Sequence, residues 1–201
     1  MSVVTQEVPC LSLGPNSSGA CLTPAEFDAA EFEEGWRYEL IHGVLVVSPP
    51  PLRKERDPNE ELGRWLRNYQ EFHPQGGALD ATFPEETVVT PTDRRRADRV
   101  IYAGLGRDPE EGEVPAVVIE FVSAGKRNLI RDYEEKRDEY LAAGVREYWV
   151  IDRFDRCLTV YRPQASGSSR QVVREGEVYT TPLLPGFELR LDGLLQRADR
   201  W

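Results

Sequence analysis

The amino-acid sequence predicts one α/β or α+β domain in which helices flank a mixed central β-sheet. The segment PAVVIEFVS (115–123) is the most apolar run in the chain and is typical of a buried central strand. A helical pattern over 129–144 follows it, and then comes a second apolar strand, REYWVID (146–152), so the two strands can lie parallel. The length of 201 residues allows one domain with a core and is short for two.

The N-terminal part predicts a flexible tail, a short helix and a β-hairpin. Residues 1–21 are rich in Gly, Ser, Pro and Asn, which indicates a loose tail. The segment TPAE (23–26) combines a capping box with proline at the first helical position, so a short helix should run to about Phe32. Two β-prone runs surround His42-Gly43, which suits a tight hairpin turn.

The rest of the chain predicts alternating helices and strands. A second helix is expected over 57–72, with Asp57 as its cap and Pro58 at its first position. The remaining elements are strands at 85–91, 97–103, 115–123, 146–152 and 156–162, a helix at 129–144 that ends at Gly144, a loop at 164–170, and then two or three short strands and a terminal turn. The predicted domain covers 22–195, and residues 196–201 form a C-terminal end.

Composition excludes several classes of protein. The chain has 25 Lys and Arg against 35 Asp and Glu, a net charge of −10, so any contact with a polyanion must be local or involve metal cations. Cys10, Cys21 and Cys157 form no CxxC pair, which disfavours a disulfide framework or a zinc site. The sequence shows neither a signal-peptide pattern nor an apolar run approaching ~18 residues, so we expect a cytoplasmic protein without membrane contact.

Glu120 stands at the centre of the most apolar strand. An ionised carboxylate in such a strand costs several kcal/mol unless it is paired or binds a metal. Alternation along the strand places Val118, Glu120 and Val122 on one face, so a single acid lies in an apolar frame. Taken alone, the ordinary explanation is an arginine partner or a position at the margin of the sheet.

Other polar residues could join Glu120. Asp98 precedes an apolar run, Glu39 lies in the hairpin, and Asp132, Lys136 and Tyr140 recur at helical spacing behind Glu120. Each also has an ordinary explanation, such as a strand-end acid or a surface ion pair worth a few tenths of a kcal/mol. If they converge, carboxylates and a lysine are what Mg²⁺-assisted phosphodiester cleavage requires.

Three segments, RYELIHGVLVVSPPP, ADRV and VVIEFVS…RDYEEKRDEYLAAGVREYWVID, resemble the putative restriction endonuclease domain family of the PD-(D/E)XK nuclease superfamily. The resemblance runs from about Leu22 to Leu195. It implies a restriction-endonuclease-like core with an N-terminal helix and β-hairpin extension. It also implies a divalent-metal-dependent endonuclease that hydrolyses phosphodiester bonds of DNA, with Mg²⁺ or Mn²⁺ as cofactor, and such a nuclease can be a homodimer.

The resemblance also implies roles for particular residues. Asp98 and Glu120 match the metal-binding acids of the family, and the backbone carbonyl of Phe121 would be a further ligand. Val122 stands where the superfamily usually has its catalytic lysine, and Lys136 fits a lysine supplied from the following helix. Asp98, Glu120 and Lys136 are therefore the predicted catalytic residues. The predicted supporting residues are Glu39, Asp132 and Tyr140.

Two basic clusters flank the predicted ligand strands. They supply the predicted nucleic-acid contacts, Arg94, Arg95, Arg96, Lys126 and Arg127, for which solvated loop charges are the alternative. The chain departs from the family pattern at Ala97, where a proline is usual, and at Ala124, where a proline follows the serine. These departures leave a second function open: a catalytically inactive protein of the nuclease fold that binds nucleic acid or a protein partner.

Overall fold

A computed structural model of the chain describes residues 10–124 and 131–201, with Arg131 and Asp132 described by their backbone alone. The contacts group into two compact units, and one domain over 22–195 stays a prediction. Unit 1 comprises Met1–Pro50 and Val89–Arg96, and unit 2 comprises Pro51–Val88 and Ala97–Trp201. The predicted N-terminal helix and hairpin both lie in unit 1.

Unit 1 is built from short elements around a small apolar core. In order they are β1 (Ser12–Leu13), a 3₁₀ turn (Pro15–Ser17), α1 (Pro24–Asp28), β2 (Glu31–Phe32), β3 (Arg37–Ile41) and β4 (Val44–Ser48). Strands β3 and β4 pair antiparallel, and β1 and β2 pair parallel. The buried core residues are Leu13, Phe27, Leu40 and Leu45.

The helix cap and the hairpin turn of unit 1 form as the sequence predicted, whereas β1 and the 3₁₀ turn lie in residues that it predicted as a loose tail. Thr23 Oγ1 accepts a hydrogen bond from the Glu26 backbone N–H, and the Glu26 carboxylate accepts one from the Thr23 N–H, which completes the capping box. His42 and Gly43 both have positive φ angles, 49° and 76°, as a tight hairpin turn requires. Helix α1 ends at Asp28, earlier than predicted, because the residues that follow it pair with β1 instead.

Unit 2 contains the main sheet and the longer helices. Its elements are α2 (Arg53–Phe72), a 3₁₀ turn (Gly76–Ala78), β5 (Leu79–Val89), β6 (Arg94–Ala103), β7 (Val117–Phe121), a π-helical turn (Arg131–Glu135), α3 (Lys136–Ala142), β8 (Glu147–Asp152), β9 (Cys157–Pro163), β10 (Ser168–Arg174), β11 (Val178–Tyr179), β12 (Leu189–Arg190) and α4 (Leu191–Ala198). The last residue of β5 and the first three of β6 belong to unit 1.

The sheet of unit 2 is mixed, as predicted. Its order is β10-β9-β8-β7-β6, with β5 also paired to β6. Strands β7 and β8 are parallel, and the pairs β6–β7, β8–β9 and β9–β10 are antiparallel. Every residue of β7 and β8 is buried, which explains why both strands read as apolar runs.

The two faces of the sheet in unit 2 are covered by different helices. On one face, Ile119 and Trp149 belong to an apolar cluster with Leu62 and Leu66 of α2 and with Leu194 of α4. On the other face, Val118, Tyr148 and Val150 share a second cluster with Tyr140 of α3. Because side chains alternate along a strand, this division assigns Glu120 to the α3 face.

Helix α2 begins four residues before its predicted start. Its first residue is Arg53 and its N-cap is Leu52, whose backbone N–H donates to Glu55 Oε2 at 2.8 Å. Pro58 lies inside the helix rather than at its first turn. The sequence concealed this start because leucine is a poor N-cap, and the polar half of the cap comes from a glutamate three residues later.

The structure also bears on two predicted absences. None of the helices in residues 10–124 and 131–201 combines the length and apolar surface that a membrane crossing needs. Cys10, Cys21 and Cys157 are free thiols, as their spacing predicted.

Candidate active site

Asp98 and Glu120 lie opposite each other on neighbouring strands. In the antiparallel pairing of β6 with β7, Arg99 faces Ile119 and Val100 faces Val118. Extending that register by one residue places Asp98 opposite Glu120, so their side chains emerge on the same face of the sheet. Both residues are buried, with 7% and 3% of their surface exposed. The fold therefore places these two acids on neighbouring strands and on one face of the sheet, and their role as metal ligands stays a prediction.

The Asp98 carboxylate takes the place of a backbone group in the ladder. Its Oδ2 accepts a hydrogen bond of 2.8 Å from the backbone N–H of Phe121, the last residue of β7. The Asp98 carbonyl oxygen accepts another, of 2.7 Å, from Asn59 Nδ2 of α2. Both the side chain and the backbone of Asp98 are thus fixed in position.

The Glu120 carboxylate is held by two residues of α3. Its Oε1 lies 2.9 Å from Lys136 Nζ and accepts a 3.0 Å hydrogen bond from the Tyr140 hydroxyl. Lys136 is 3% exposed and Tyr140 is fully buried. The charge in the apolar strand therefore has a lysine partner, supplied from the helix that follows the strand, and this pairing offsets its desolvation.

The geometry of α3 positions the side chains of Lys136 and Tyr140 beside Glu120. Lys136 and Tyr140 are one helical turn apart and so share one face of the helix. The Tyr140 ring packs on Tyr148 of β8 with 5.3 Å between centroids, which anchors the hydroxyl. Gly144, with φ of +104°, ends the helix as predicted.

Glu55 and Asn59 of α2 also lie beside the two strands, and neither was predicted from the sequence. Glu55 is 7% exposed, and its Oε1 accepts a 3.1 Å hydrogen bond from the Ser123 hydroxyl, just beyond β7. Asn59, one turn later, accepts a 2.7 Å hydrogen bond from Arg99 Nε through its Oδ1. In the sequence these residues stand among exposed charges, which concealed them.

The remaining predicted residues have different positions. Glu39 is buried in unit 1, where its Oε1 accepts a 3.1 Å hydrogen bond from the Arg96 N–H, and its supporting role stays a prediction. Arg94 donates to both oxygens of Asp28 at 2.7 and 2.6 Å. Arg95 has no exposed surface. Their burial argues against phosphate contacts by Arg94 and Arg95, because neither guanidinium faces solvent.

Other predicted residues cannot be assigned a contact. Arg96 is half-buried, so its contact with nucleic acid stays a prediction. Lys126, Arg127 and the side chain of Asp132 lie outside the described residues.

The donor set at Asp98 and Glu120 suits a hard divalent cation. Mg²⁺ prefers carboxylate, carbonyl and water oxygens, and it is usually bound through one or two carboxylates. Asp98, Glu120 and the Phe121 carbonyl would provide oxygen ligands only. The arrangement lacks the sulfur and imidazole donors that favour zinc.

Comparison with known proteins identifies a solved structure of similar fold and a matching family. A crystal structure of a putative nuclease belonging to DUF820 from Anabaena variabilis ATCC 29413 has a similar fold, with a TM-score of 0.69 and 18% sequence identity. The similarity covers 88% of this chain and 99% of that chain. No curated protein matches the chain significantly. The family model described as Uma2, putative restriction endonuclease, matches residues 24–192. Because that match spans most of its length, the chain belongs to the Uma2 family of putative restriction endonucleases.

Proposed function

We propose that this protein is a divalent-metal-dependent endonuclease that hydrolyses phosphodiester bonds of DNA. The observation that carries the proposal is the buried contact of Lys136 with Glu120 on the sheet face that also bears Asp98. Membership of the family and the nuclease-like fold support a nuclease. The choice of DNA and the requirement for a metal ion are the finer parts of the proposal.

The proposed metal site consists of Asp98, Glu120 and the Phe121 backbone carbonyl. A bound Mg²⁺ or Mn²⁺ would lower the pKa of a coordinated water and offset negative charge on the phosphate. The chain's own contribution is to hold both carboxylates rigidly on adjacent strands. The hydrogen bond from the Phe121 N–H orients one of them, and Lys136 and Tyr140 orient the other.

Lys136 supplies the positive charge of the proposed site. Its ammonium group is buried at the Glu120 carboxylate, where it can donate to a phosphate oxygen or orient the attacking water. A buried ammonium acts in a lower dielectric than a solvated one, so its effect on a developing negative charge is larger. Tyr140 keeps Glu120 in place while Lys136 donates elsewhere.

Cleavage of plasmid DNA tests the proposal. We expect the purified protein to nick or cut DNA with Mg²⁺ or Mn²⁺ and to be inactive with EDTA. Asp98→Asn, Glu120→Gln and Lys136→Met should each lower the rate by at least about 100-fold, since each removes a metal ligand or the charge beside it. Glu134→Gln and Arg137→Gln, at exposed or partly exposed positions of the same helical segment, serve as matched controls.

Each variant must retain the far-ultraviolet circular dichroism of the parent chain. Cleavage that persists at the parental rate in folded Glu120→Gln or Lys136→Met protein would refute this assignment of the site.

A catalytically inactive binding module is the second candidate function. The observation that favours it is the same ion pair, because a buried lysine that neutralises a glutamate can be purely structural. Titration calorimetry with Mg²⁺ separates the two candidates. Binding that Asp98→Asn abolishes supports the nuclease, whereas a chain that binds no Mg²⁺ yet retains DNA supports the binding module.

A further inference from the structure

The first turn of α2 has an outward face with a pocket of its own. Arg53, Arg56, Asp57 and Glu60 line the pocket together with Trp201, and its volume is about 390 Å³. That volume falls in the range of small-molecule pockets. All five residues belong to unit 2. None of them takes part in the carboxylate site described above.

The aromatic wall of the pocket is held in a fixed orientation. Trp201 Nε1 donates a 3.1 Å hydrogen bond to Asp57 Oδ2, while Arg197 donates to Asp57 Oδ1 at 3.4 Å. Both oxygens of Asp57 are therefore used, and Arg197 offsets its charge. Trp201 is nevertheless an exposed residue, with 59% of its surface accessible. A large, oriented and solvent-facing indole is a surface on which a planar ligand can stack.

The two arginines of the pocket form no ion pair with a carboxylate in the part of the chain that the structure describes. Arg53 lies with its guanidinium carbon 5.2 Å from the Trp201 ring centroid, which is a cation–π contact. Among the described residues, neither Arg53 nor Arg56 forms a salt bridge, although the chain as a whole carries a charge of −10. Glu60 is the one acidic group of the rim that has no ion pair there.

The first turn of α2 also contacts the segment that follows β7. Glu55 belongs to the same turn of α2 as Arg53 and Arg56, and it accepts a hydrogen bond from Ser123, three residues after Glu120. Helix α2 thus contacts the site end of β7 on its inner side and presents the pocket on its outer side.

We propose that this pocket binds one unpaired nucleotide of a nucleic-acid substrate. The base stacks on Trp201, and Arg53 and Arg56 contact the phosphate groups on either side of it. Stacking on an aromatic side chain is tolerant of sequence, so the pocket adds affinity for single-stranded or frayed DNA rather than recognition of a base. That the bound nucleotide belongs to a substrate rests on the proposed function, whereas its binding does not.

Fluorescence anisotropy with a labelled single-stranded oligonucleotide of about 12 nucleotides tests the pocket, in EDTA to prevent cleavage. We expect Arg53→Gln/Arg56→Gln to weaken binding about tenfold at about 50 mM salt. The same variant should reduce the slope of log K against log salt by roughly 1.4, which is the value for two lost contacts to single-strand phosphates. Trp201→Ala should also weaken binding about tenfold, and Trp201→Phe should restore most of it.

Matched controls define the outcomes that would overturn the proposal. Arg170→Gln/Arg190→Gln removes the same charge from exposed positions in β10 and β12. Equal weakening by this control shows a bulk charge effect, and unchanged affinity in the pocket variants shows no site, so either result overturns the proposal. Competition by inorganic phosphate as strong as that by a mononucleotide overturns the stacking contact. If the pocket variants lose binding as expected but the parent chain never cleaves DNA, the proposed function is refuted and the binding proposal stands.

Discussion

At the scale of single residues, Glu120 and Glu147 show why an acid in an apolar strand is ambiguous. Both are buried, in the adjacent strands β7 and β8. Glu147 is saturated by structural donors, namely Arg162 Nε, Trp149 Nε1, the Tyr179 hydroxyl and Thr181 Oγ1 at 2.7–2.9 Å. Glu120 instead shares its face of the sheet with a second acid. The sequence could not separate the two glutamates, since most of their donors are distant along the chain.

The two glutamates should respond differently to the same substitution. Glu147→Gln places an amide where four groups donate, so we expect a loss of about 1–3 kcal/mol in the free energy of unfolding. Cleavage per folded molecule should remain at the parental level. Glu120→Gln should abolish cleavage. Urea denaturation and plasmid cleavage measure the two quantities, and an inactive but folded Glu147→Gln protein would contradict the division of roles.

At the same scale, the sequence identified Asp98, Glu120, Lys136 and Tyr140, and the structure brings the last three into direct contact. These residues were recognisable because each breaks a simple pattern: an acid in an apolar strand, or a lysine and a tyrosine one turn apart. Glu55 broke no pattern. Its burial depends on Ser123, far along the chain, and no local signal encodes that contact.

At the scale of elements, the close packing of α2 on β6 depends on one glycine. A Cβ on Gly63 would lie 2.5–2.8 Å from the guanidinium atoms of Arg99. That guanidinium cannot simply move aside, because it donates to Asn59 Oδ1 and Thr82 Oγ1 at 2.7 and 3.2 Å. Burial also lowers the pKa of Arg99 to about 10, so the group is already costly to keep charged.

Gly63→Ala should therefore destabilise the protein even though alanine favours helices by about 1 kcal/mol. We expect a net loss of about 1–2 kcal/mol in the free energy of unfolding, from overpacking against Arg99. Gly77→Ala is the matched control, because nothing lies within 4 Å of the added Cβ there. Thermal or urea denaturation measures both variants, and a stabilised Gly63→Ala protein would show that Arg99 can move freely.

Helix α2 is also joined to α4 by an acid that titrates. Hydrogen bonds from Arg64 hold the pKa of Glu61 down at about 2, against the effect of burial, and Arg197 of α4 donates to the same carboxylate at 3.0 Å. Because the folded-state pKa is below the ordinary value of about 4.3, this stabilisation is present above about pH 4.3. It is lost as the pH falls towards 2.

Glu61→Gln should reduce the dependence of the free energy of unfolding on pH in the acid range. We expect the variant to be less stable than the parent chain by about 1 kcal/mol at neutral pH and to converge with it as the pH approaches 2. Urea midpoints measured across that range test this, with Glu71→Gln, an exposed position of the same helix, as the control. A constant difference at every pH would show that Glu61 does not titrate in this window.

The boundaries of elements were predicted well where a local signal sets them. The capping box of α1, the His42-Gly43 turn and Gly144 act within a few residues, and each lies where expected. The start of α2 and the strand at Ser168 were misplaced. In both cases the deciding interaction, a cap from Glu55 or pairing with β9, is not visible in the local sequence.

At the scale of the whole molecule, the sequence predicted a mixed sheet flanked by helices, and unit 2 has that architecture. Two apolar strands on either side of a helical segment were sufficient evidence, because such a connection favours parallel strands. The contacts of the chain group into two compact units, while the single domain over 22–195 stays a prediction. The chain crosses between the units within β5 and β6, so no linker composition marks the boundary.

The charge of the whole molecule sets how it should hold DNA. With a net charge of −10 and with Arg94 and Arg95 buried, broad electrostatic attraction is weak. In EDTA we expect the slope of log K against log salt to be shallower than about −3, which corresponds to only a few phosphate contacts. Anisotropy between about 50 and 200 mM salt measures it. A slope near −6 or steeper would reveal an extensive basic surface.

The hydrogen bond from the Phe121 N–H to Asp98 has an evolutionary consequence. Every amino acid except proline supplies a backbone N–H, so substitution of Phe121 by any other residue keeps the donor to Asp98. Glu120, in contrast, depends on the identity of the side chains at 136 and 140. Sequence drift should therefore misplace the glutamate long before the aspartate. In related proteins that have lost nuclease activity, we expect Asp98 to persist after Lys136 has been replaced.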